Sequence, residues 1–140
     1  MQIDGACLCG HVRYEATIDP DTVVICHCTD CQVNSAGAFR YGTMVARENF
    51  RLLAGTLKVH VKTAESGARR ALSFCPDCGT SIHGADPEDP KVYSLRLGTA
   101  RQRHQLTPKA QVWHRSAVSW LGRIEELKSF ETQPAPRPRR

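Results

Sequence analysis

The stretch Cys26-His27-Cys28-Thr29-Asp30-Cys31 decides how this chain is read. Three thiols fall within six residues. A second cluster lies upstream at Cys7-Leu8-Cys9 and a third downstream at Cys75-Pro76-Asp77-Cys78-Gly79, and the three together hold all seven cysteines. No Gly-rich phosphate loop, no G-x-S-x-G elbow and no H-E-x-x-H pair competes with them. The simplest reading is a chain built around metal. Seven thiols suit that reading, because four close one tetrahedral zinc site and three leave a second site with an open position.

Working outward, the 140 residues suit one domain, expected over residues 1–130. Apolar content of 41% and charged content of 24% are ordinary for a globular protein, but aromatics are sparse at 6%, so metal cross-links would supplement a modest core. No apolar run approaches the roughly 20 residues that span a bilayer, so no membrane partner is expected. Met1-Gln2-Ile3-Asp4-Gly5 has no basic segment followed by an apolar one, which places the chain in the cytoplasm. In that reducing compartment clustered cysteines read as ligands, and an odd number cannot all pair as disulfides. The formal charge of +5 counts every thiol as neutral. Seven thiolates around two dications would bring it to about +2, so basicity is weak support for a nucleic-acid partner, and none is expected. Part of the charge also sits in residues 131–140, a basic, proline-rich tail expected to be disordered.

Patterning around the clusters is that of strands and turns. Val12, Tyr14 and Ala16 alternate on one face, as do Phe39, Tyr41, Thr43 and Val45. The 22–26 segment is β-branched and apolar and delivers the triple-cysteine loop, after which Thr29 and Asp30 are expected to cap a short helical turn. Residues 64–67 read as a hairpin loop, 71–74 and 80–83 as a hairpin tipped by Cys75 and Cys78, and 92–97 as a strand. Residues 124–130 suggest a short terminal helix, and Trp113 and Trp120 are expected to pack the core. The fold class expected is mainly β.

Cys75-Pro76-Asp77-Cys78 has the form of a zinc knuckle and needs a partner pair, for which Cys7 and Cys9 are the natural candidates. Flanking Gly5 and Gly10 are read as allowing unusual dihedrals there. A closed site of this kind contributes about 10 kcal/mol or more in small zinc modules. Cys26, Cys28 and Cys31 then remain for a second zinc with an open position, able to bind an incoming thiolate or polarise a carbonyl. Spacing also permits other arrangements: a fourth ligand from His27, His83 or Asp30, a cysteine pair that oxidises without metal, or the triplet joined by Cys7 or Cys9. His27 should face away from the metal, either to hydrogen-bond a substrate or in a supporting role behind the ligands or in solvent, and the other histidines are mostly surface candidates. Phe39, Tyr41 and Trp113 are candidate pocket residues.

The three segments Gly5-Ala6-Cys7-Leu8-Cys9-Gly10-His11-Val12-Arg13-Tyr14, Cys26-His27-Cys28-Thr29-Asp30-Cys31 and Phe74-Cys75-Pro76-Asp77-Cys78-Gly79-Thr80, in that order, resemble the glutathione-dependent formaldehyde-activating enzyme family, which includes the centromere protein V domain. The resemblance runs from about Gly5 to Trp120. It implies a β-tent fold of antiparallel sheets, a structural zinc on Cys7, Cys9, Cys75 and Cys78, and a second, catalytic zinc on Cys26, Cys28 and Cys31. The reaction it implies is that of a carbon–sulfur lyase acting on a small thiol, with glutathione and formaldehyde joining as S-(hydroxymethyl)glutathione. The alternative it leaves is a non-enzymatic zinc module that binds a protein. Two positions depart from the family pattern: Gln32 stands where many members have Arg, and Gly98-Thr99-Ala100-Arg101 replaces a Gly-x-Leu-Asp segment.

Overall fold

Alternating apolar residues become a small three-stranded sheet in the computed structural model, which describes residues 1–138. Strand β1 (Gln2–Ala6) pairs antiparallel with β2 (Arg13–Thr17), and β2 pairs with β5 (Phe50–Ala54). Val12, Tyr14 and Ala16 are buried, as their spacing predicts. Tyr14 stacks on Phe50 at 5.4 Å between ring centroids. Its hydroxyl donates to Thr99 Oγ1 (2.8 Å), which in turn donates to the Arg96 carbonyl (2.7 Å).

Gly5 lies opposite Tyr14 in this register. It is not a turn residue but a strand residue lacking a side chain for steric reasons. A Cβ there would come within 2.4 Å of the Tyr14 hydroxyl and 2.6 Å of the Thr99 carbonyl oxygen. Gly10, with φ +81°, does hold the left-handed turn that closes the first cysteine pair.

The second sheet has seven strands in the order β10-β3-β4-β9-β8-β7-β6. They are β3 (Val24–Cys26), β4 (Arg40–Ala46), β6 (Lys58–Thr63), β7 (Arg69–Phe74), β8 (Ser81–Ala85), β9 (Val92–Arg96) and β10 (Ala110–Val112). All neighbours are antiparallel except β10 and β3, which run parallel, so the expected purely antiparallel arrangement is corrected at that edge. A parallel neighbour needs a long crossover, and residues 27–109 supply it. The β7–β8 hairpin carries Cys75 and Cys78 at its tip, where sequence patterning put them.

One α-helix occurs among the described residues, α1 (Thr29–Ser35). Its cap is neither Thr29 nor Asp30. The Cys28 sulfur accepts from the Cys31 amide (3.3 Å) and occupies the capping position. Gln32 spends both amide hydrogens tying the helix to its surroundings, donating to the carbonyls of His27 (2.7 Å) and Ser116 (2.8 Å).

The core lies between the sheets. Ile3, Val12, Tyr14 and Ile18 meet Val23, Val45, Ile82, Leu95, Leu97 and Leu106, all nearly inaccessible to water. Burying each such aliphatic side chain contributes about 1.5–3 kcal/mol. Leu106, inside a segment whose polarity reads as loop, is drawn in because Tyr41 donates its hydroxyl to the Leu106 carbonyl (2.5 Å).

Trp113 and Trp120 do not pack the core: each is 54% exposed. Trp113 is held outward by a left-handed backbone (φ 55°), with the Arg115 guanidinium 4.9 Å from its ring centroid. The expected terminal helix is a 3-10 segment at Leu121–Glu126 instead, and Leu127 and Phe130 are exposed beyond it. Residues 133–138 have no regular structure and are exposed, while the arginines expected at 139 and 140 lie outside the described residues.

Candidate metal centres and the cavity beside them

The turn after β1 and the tip of the β7–β8 hairpin bring four sulfurs together. Those of Cys7, Cys9, Cys75 and Cys78 all lie within 4.8 Å of one another. Cys7 Sγ is 3.6 Å from Cys9 Sγ, and Cys9 Sγ is 3.8 Å from Cys75 Sγ. Zinc–sulfur bonds of about 2.3 Å in a tetrahedron set sulfurs about 3.8 Å apart, so the spacing fits that ion. Backbone hydrogen bonds build the cradle: Cys7 N to Val12 O (3.0 Å), Gly10 N to Cys7 O (3.1 Å) and Gly79 N to Cys75 O (2.9 Å).

The electrostatics also ask for a cation. The Thr80 hydroxyl, 3.1 Å from Cys78 Sγ, with the amides of Thr80 and Cys9, holds the Cys78 thiol down at about 5. Burial raises the Cys7 thiol, but the Val12 amide (3.2 Å from the sulfur) and the neighbouring sulfurs of Cys9 and Cys75 outweigh it and lower it. The His11 amide pulls the Cys9 thiol down, yet desolvation and the sulfurs of Cys7, Cys78 and Cys75 push it up to about 12. Four sulfurs this close do not all ionise unaided, because the last thiolate meets the charge of the others. A divalent cation removes that conflict.

The second group is local. Cys26 ends β3, Cys28 caps α1 and Cys31 lies in its first turn, which sets their three sulfurs within 4.8 Å of one another. Cys26 is buried, and Cys28 and Cys31 are half-buried. Three thiols at this spacing could hold a metal ion with one coordination position left for something else. His27, Asp30 and His83 are not part of this group. Asp30 is instead paired with Lys62.

His27 does face away from the sulfurs, and of the roles left open for it the structure shows the buried, supporting one. It is fully buried, its Nε2 donates to Gln111 Oε1 (2.8 Å), and its ring meets those of Phe39 and His114 edge-on. His83 is not a surface residue either: it is 7% exposed, with its ring centroid 4.4 Å from that of Tyr93 and 5.3 Å from that of Phe50. Burial first, and the nearby Arg96 charge second, depress His83 to about 4.

Cys31 opens onto a cavity of about 450 Å³. Its lining includes Arg40, Lys62, Arg70, Lys91 and Arg96 against two carboxylates, Asp86 and Asp89. Arg40 touches the thiol group directly, with Nε 3.4 Å from Cys31 Sγ. Arg96 is lowered to about 10, chiefly by burial and then by the Arg40 charge, with Cys31, Cys26 and Cys28 acting in the opposite sense. A second cavity of about 440 Å³ that also borders Arg40 and Arg96 is lined by Phe39, Tyr41 and Thr80. Trp113 lines neither.

Arg40, Arg96 and Ser94 are not singled out by spacing or motif. They meet only through the β4–β9 register, in which Gly42 lies opposite Arg96 and Met44 opposite Ser94. One local signal does exist. Gly42 and Gly84 sit in strand interiors, where glycine marks close approach of another group. A Cβ at Gly84 would lie 3.3 Å from Arg96 Nη2, and one at Gly42 would lie 2.4 Å from the Leu95 carbonyl oxygen and 3.1 Å from Arg40 Nη1.

Comparison with known proteins agrees with this architecture. A crystal structure of a Rhodobacter sphaeroides protein superposes with a TM-score of 0.60 at 17% identity, covering 78% of this chain and 99% of that one, and so shares the fold. No curated protein matches the sequence. Residues 2–116, which span both thiol groups and the cavity, match the profile described as glutathione-dependent formaldehyde-activating enzyme, and the chain belongs to that family.

Proposed function

We propose that this protein is a zinc-dependent enzyme of carbon–sulfur chemistry, joining a small thiol to an aldehyde in the manner of S-(hydroxymethyl)glutathione synthesis. Cys7, Cys9, Cys75 and Cys78 hold a structural zinc that fastens the N-terminal turn to the β7–β8 hairpin of a β-tent fold. Cys26, Cys28 and Cys31 hold the catalytic one. When bound there, zinc supplies a Lewis-acid position for a thiolate or an aldehyde oxygen.

The observation that carries this reading is the combination of three thiols with a cavity reaching one of them. Cys31 lines about 450 Å³ of space, whereas a purely structural centre or a docking module has no use for an accessible coordination position. The chain's own contribution is placement. Arg40 at Cys31 favours negative charge where the incoming thiol must ionise. Cys28, fixed as the cap of α1, holds the triplet's geometry. In the reaction the thiol sulfur forms a bond to the carbonyl carbon, the carbonyl π pair moves to oxygen, and the thiol proton ends on that oxygen, so no redox partner is needed.

The test follows exchange between glutathione and ¹³C-formaldehyde by NMR. The wild-type protein accelerates adduct formation and Cys28→Ser does not, while its circular dichroism and the zinc held by the other four cysteines are retained. Undiminished acceleration in Cys28→Ser would sink the proposal. Elemental analysis before and after adding glutathione reads the zinc directly, with two ions per chain expected and the second the more labile.

A further inference from the structure

The cavity beside Cys31 contains two guanidinia that share a neutral partner. Arg40 Nη1 donates to Ser94 Oγ at 2.8 Å, and Arg96 Nη1 donates to the same oxygen at 3.0 Å and to the Ser94 carbonyl at 3.1 Å. Among the described residues neither arginine has a carboxylate at ion-pair distance. Of the other cations of the cavity, Lys62 is paired with Asp30 and Lys91 with Asp89, while Arg70 is exposed to solvent and needs no partner. Two like charges drawn to one hydroxyl, both half-buried, are an expensive arrangement for a fold to keep without an anion to receive them.

The Cys26–Cys28–Cys31 group accounts for only one of them. Three thiolates around a dication leave one net negative charge, and Arg40, touching Cys31 Sγ at 3.4 Å, offsets it. Arg96 remains. Its Nη2 and Nε make no hydrogen bond within the described residues, and the missing side chain at Gly84 keeps the space in front of Nη2 clear. Arg40 Nη2 is likewise unused. Both arginines line the cavity onto which Cys31 opens, Arg96 Nη2 lies on its Gly84 side, and Arg40 links it to the sulfur centre through Nε, 3.4 Å from Cys31 Sγ.

We infer that Arg40, Arg96 and Ser94 form an oxyanion clamp that selects small thiols bearing a carboxylate a short chain away from the sulfur. The inference rests on the proposed thiol chemistry at Cys26, Cys28 and Cys31, and it names the substrate class for that site. Because Arg40 reaches the thiol group through its own Nε, the clamp suits a thiol whose sulfur and carboxylate both fit within this one cavity. The planar fork of arginine suits bidentate carboxylate binding.

The experiment measures binding to the zinc-loaded full chain by calorimetry, using 3-mercaptopropionate, its neutral analogue 3-mercapto-1-propanol, and propionate, which lacks the thiol. Wild-type protein should bind the mercapto acid roughly 10- to 100-fold more tightly than the mercapto alcohol, the range for charge-assisted hydrogen bonds. Arg96→Gln should bring that ratio near one while leaving the alcohol's affinity unchanged, and Arg96→Lys should recover part of it. A ratio near one in the wild-type protein overturns the clamp and leaves the thiol chemistry standing. Propionate binding as tightly as the mercapto acid, and losing affinity in Arg96→Gln, upholds the clamp and overturns the thiol reading. Should Arg96→Gln fail to fold, the wild-type ratio decides by its salt dependence. A clamp loses the acid's advantage as ionic strength rises, and an unchanged ratio refutes it.

Discussion

His83 makes the stability of this protein sensitive to mild acid in a way that can be isolated. The ring is packed against Phe50 and Tyr93, its Nδ1 is buried with no hydrogen-bond partner among the described residues, and the Arg96 charge lies nearby. Burial first and Arg96 second depress it from 6.5 to about 4, so the folded state holds the neutral ring and the unfolded state takes up a proton more readily. Stability from this residue is complete above pH 6.5. It falls as the pH drops towards 4, then levels off once both states are protonated. The loss approaches about 1.4 kcal/mol per pH unit and about 3 kcal/mol in all. His83→Phe keeps the ring contacts and removes the titration. At pH 7 the substitution should change little, since losing an orphaned buried nitrogen and crowding a larger ring oppose each other at about 1–3 kcal/mol each. Urea unfolding of both proteins between pH 7 and 4 gives the difference. Acid titration of the cysteines is common to both and cancels. Parallel loss of stability in the two proteins would refute the assignment.

Gly5→Ala should cost about 3 kcal/mol or leave the protein unfolded, and pairing it with Tyr14→Phe should recover only part, because the Thr99 carbonyl stays 2.6 Å from the added carbon; thermal melts of the two variants check this. Gln32→Ala removes both ties from α1 to the His27 and Ser116 carbonyls and should cost about 1–3 kcal/mol in urea, with stability unchanged counting against it. Cys75→Ser, at a fully buried sulfur, should lower Tm by more than about 10 °C and release zinc from the four-thiol group, whereas Cys28→Ser should hold Tm within a few degrees. Equal losses in the two would contradict the division into structural and catalytic centres. The exposed Trp113 and Trp120 should both be quenched by iodide, and a shielded component would show that one is covered in solution.

What was legible in the sequence is what depends on neighbours in the chain. Alternation located Val12, Tyr14 and Ala16 on a buried face, and the hairpin carrying Cys75 and Cys78 could be read from its flanking strands. The triplet assembles from spacing alone, because a strand end and one helical turn bring its sulfurs together. What was not legible depends on register between distant strands. Arg40 and Arg96 are 56 positions apart in number, an ordinary pair of surface-type residues until β4 and β9 align them. The two tryptophans illustrate the opposite error. Their size predicts burial, but residues 113–130 are short 3-10 turns joined by irregular chain, and a segment without a repeating face cannot turn both rings inward. His83 departs from expectation for a related reason: absence of ligand spacing says that a histidine holds no metal, not whether protein or water surrounds it.

The contrast in sequence separation also bears on what each centre does. Cys9 and Cys75 are 66 positions apart, while Cys28 and Cys31 are separated by only 3. The four-thiol group exists only when the β1–β2 turn meets the β7–β8 hairpin, so a cation there gains all four sulfurs only in the folded chain. The affinity gained on going from one thiol pair to four then appears as stability. The triplet can close around a cation in the unfolded chain almost as well as in the folded one, and ligand that binds both states stabilises neither relative to the other. The fold therefore gains little by keeping the triplet filled. A centre on which stability does not depend is free to bind weakly, to exchange its fourth ligand and to sit against an open cavity, which are the properties a catalytic site needs and a structural one must avoid.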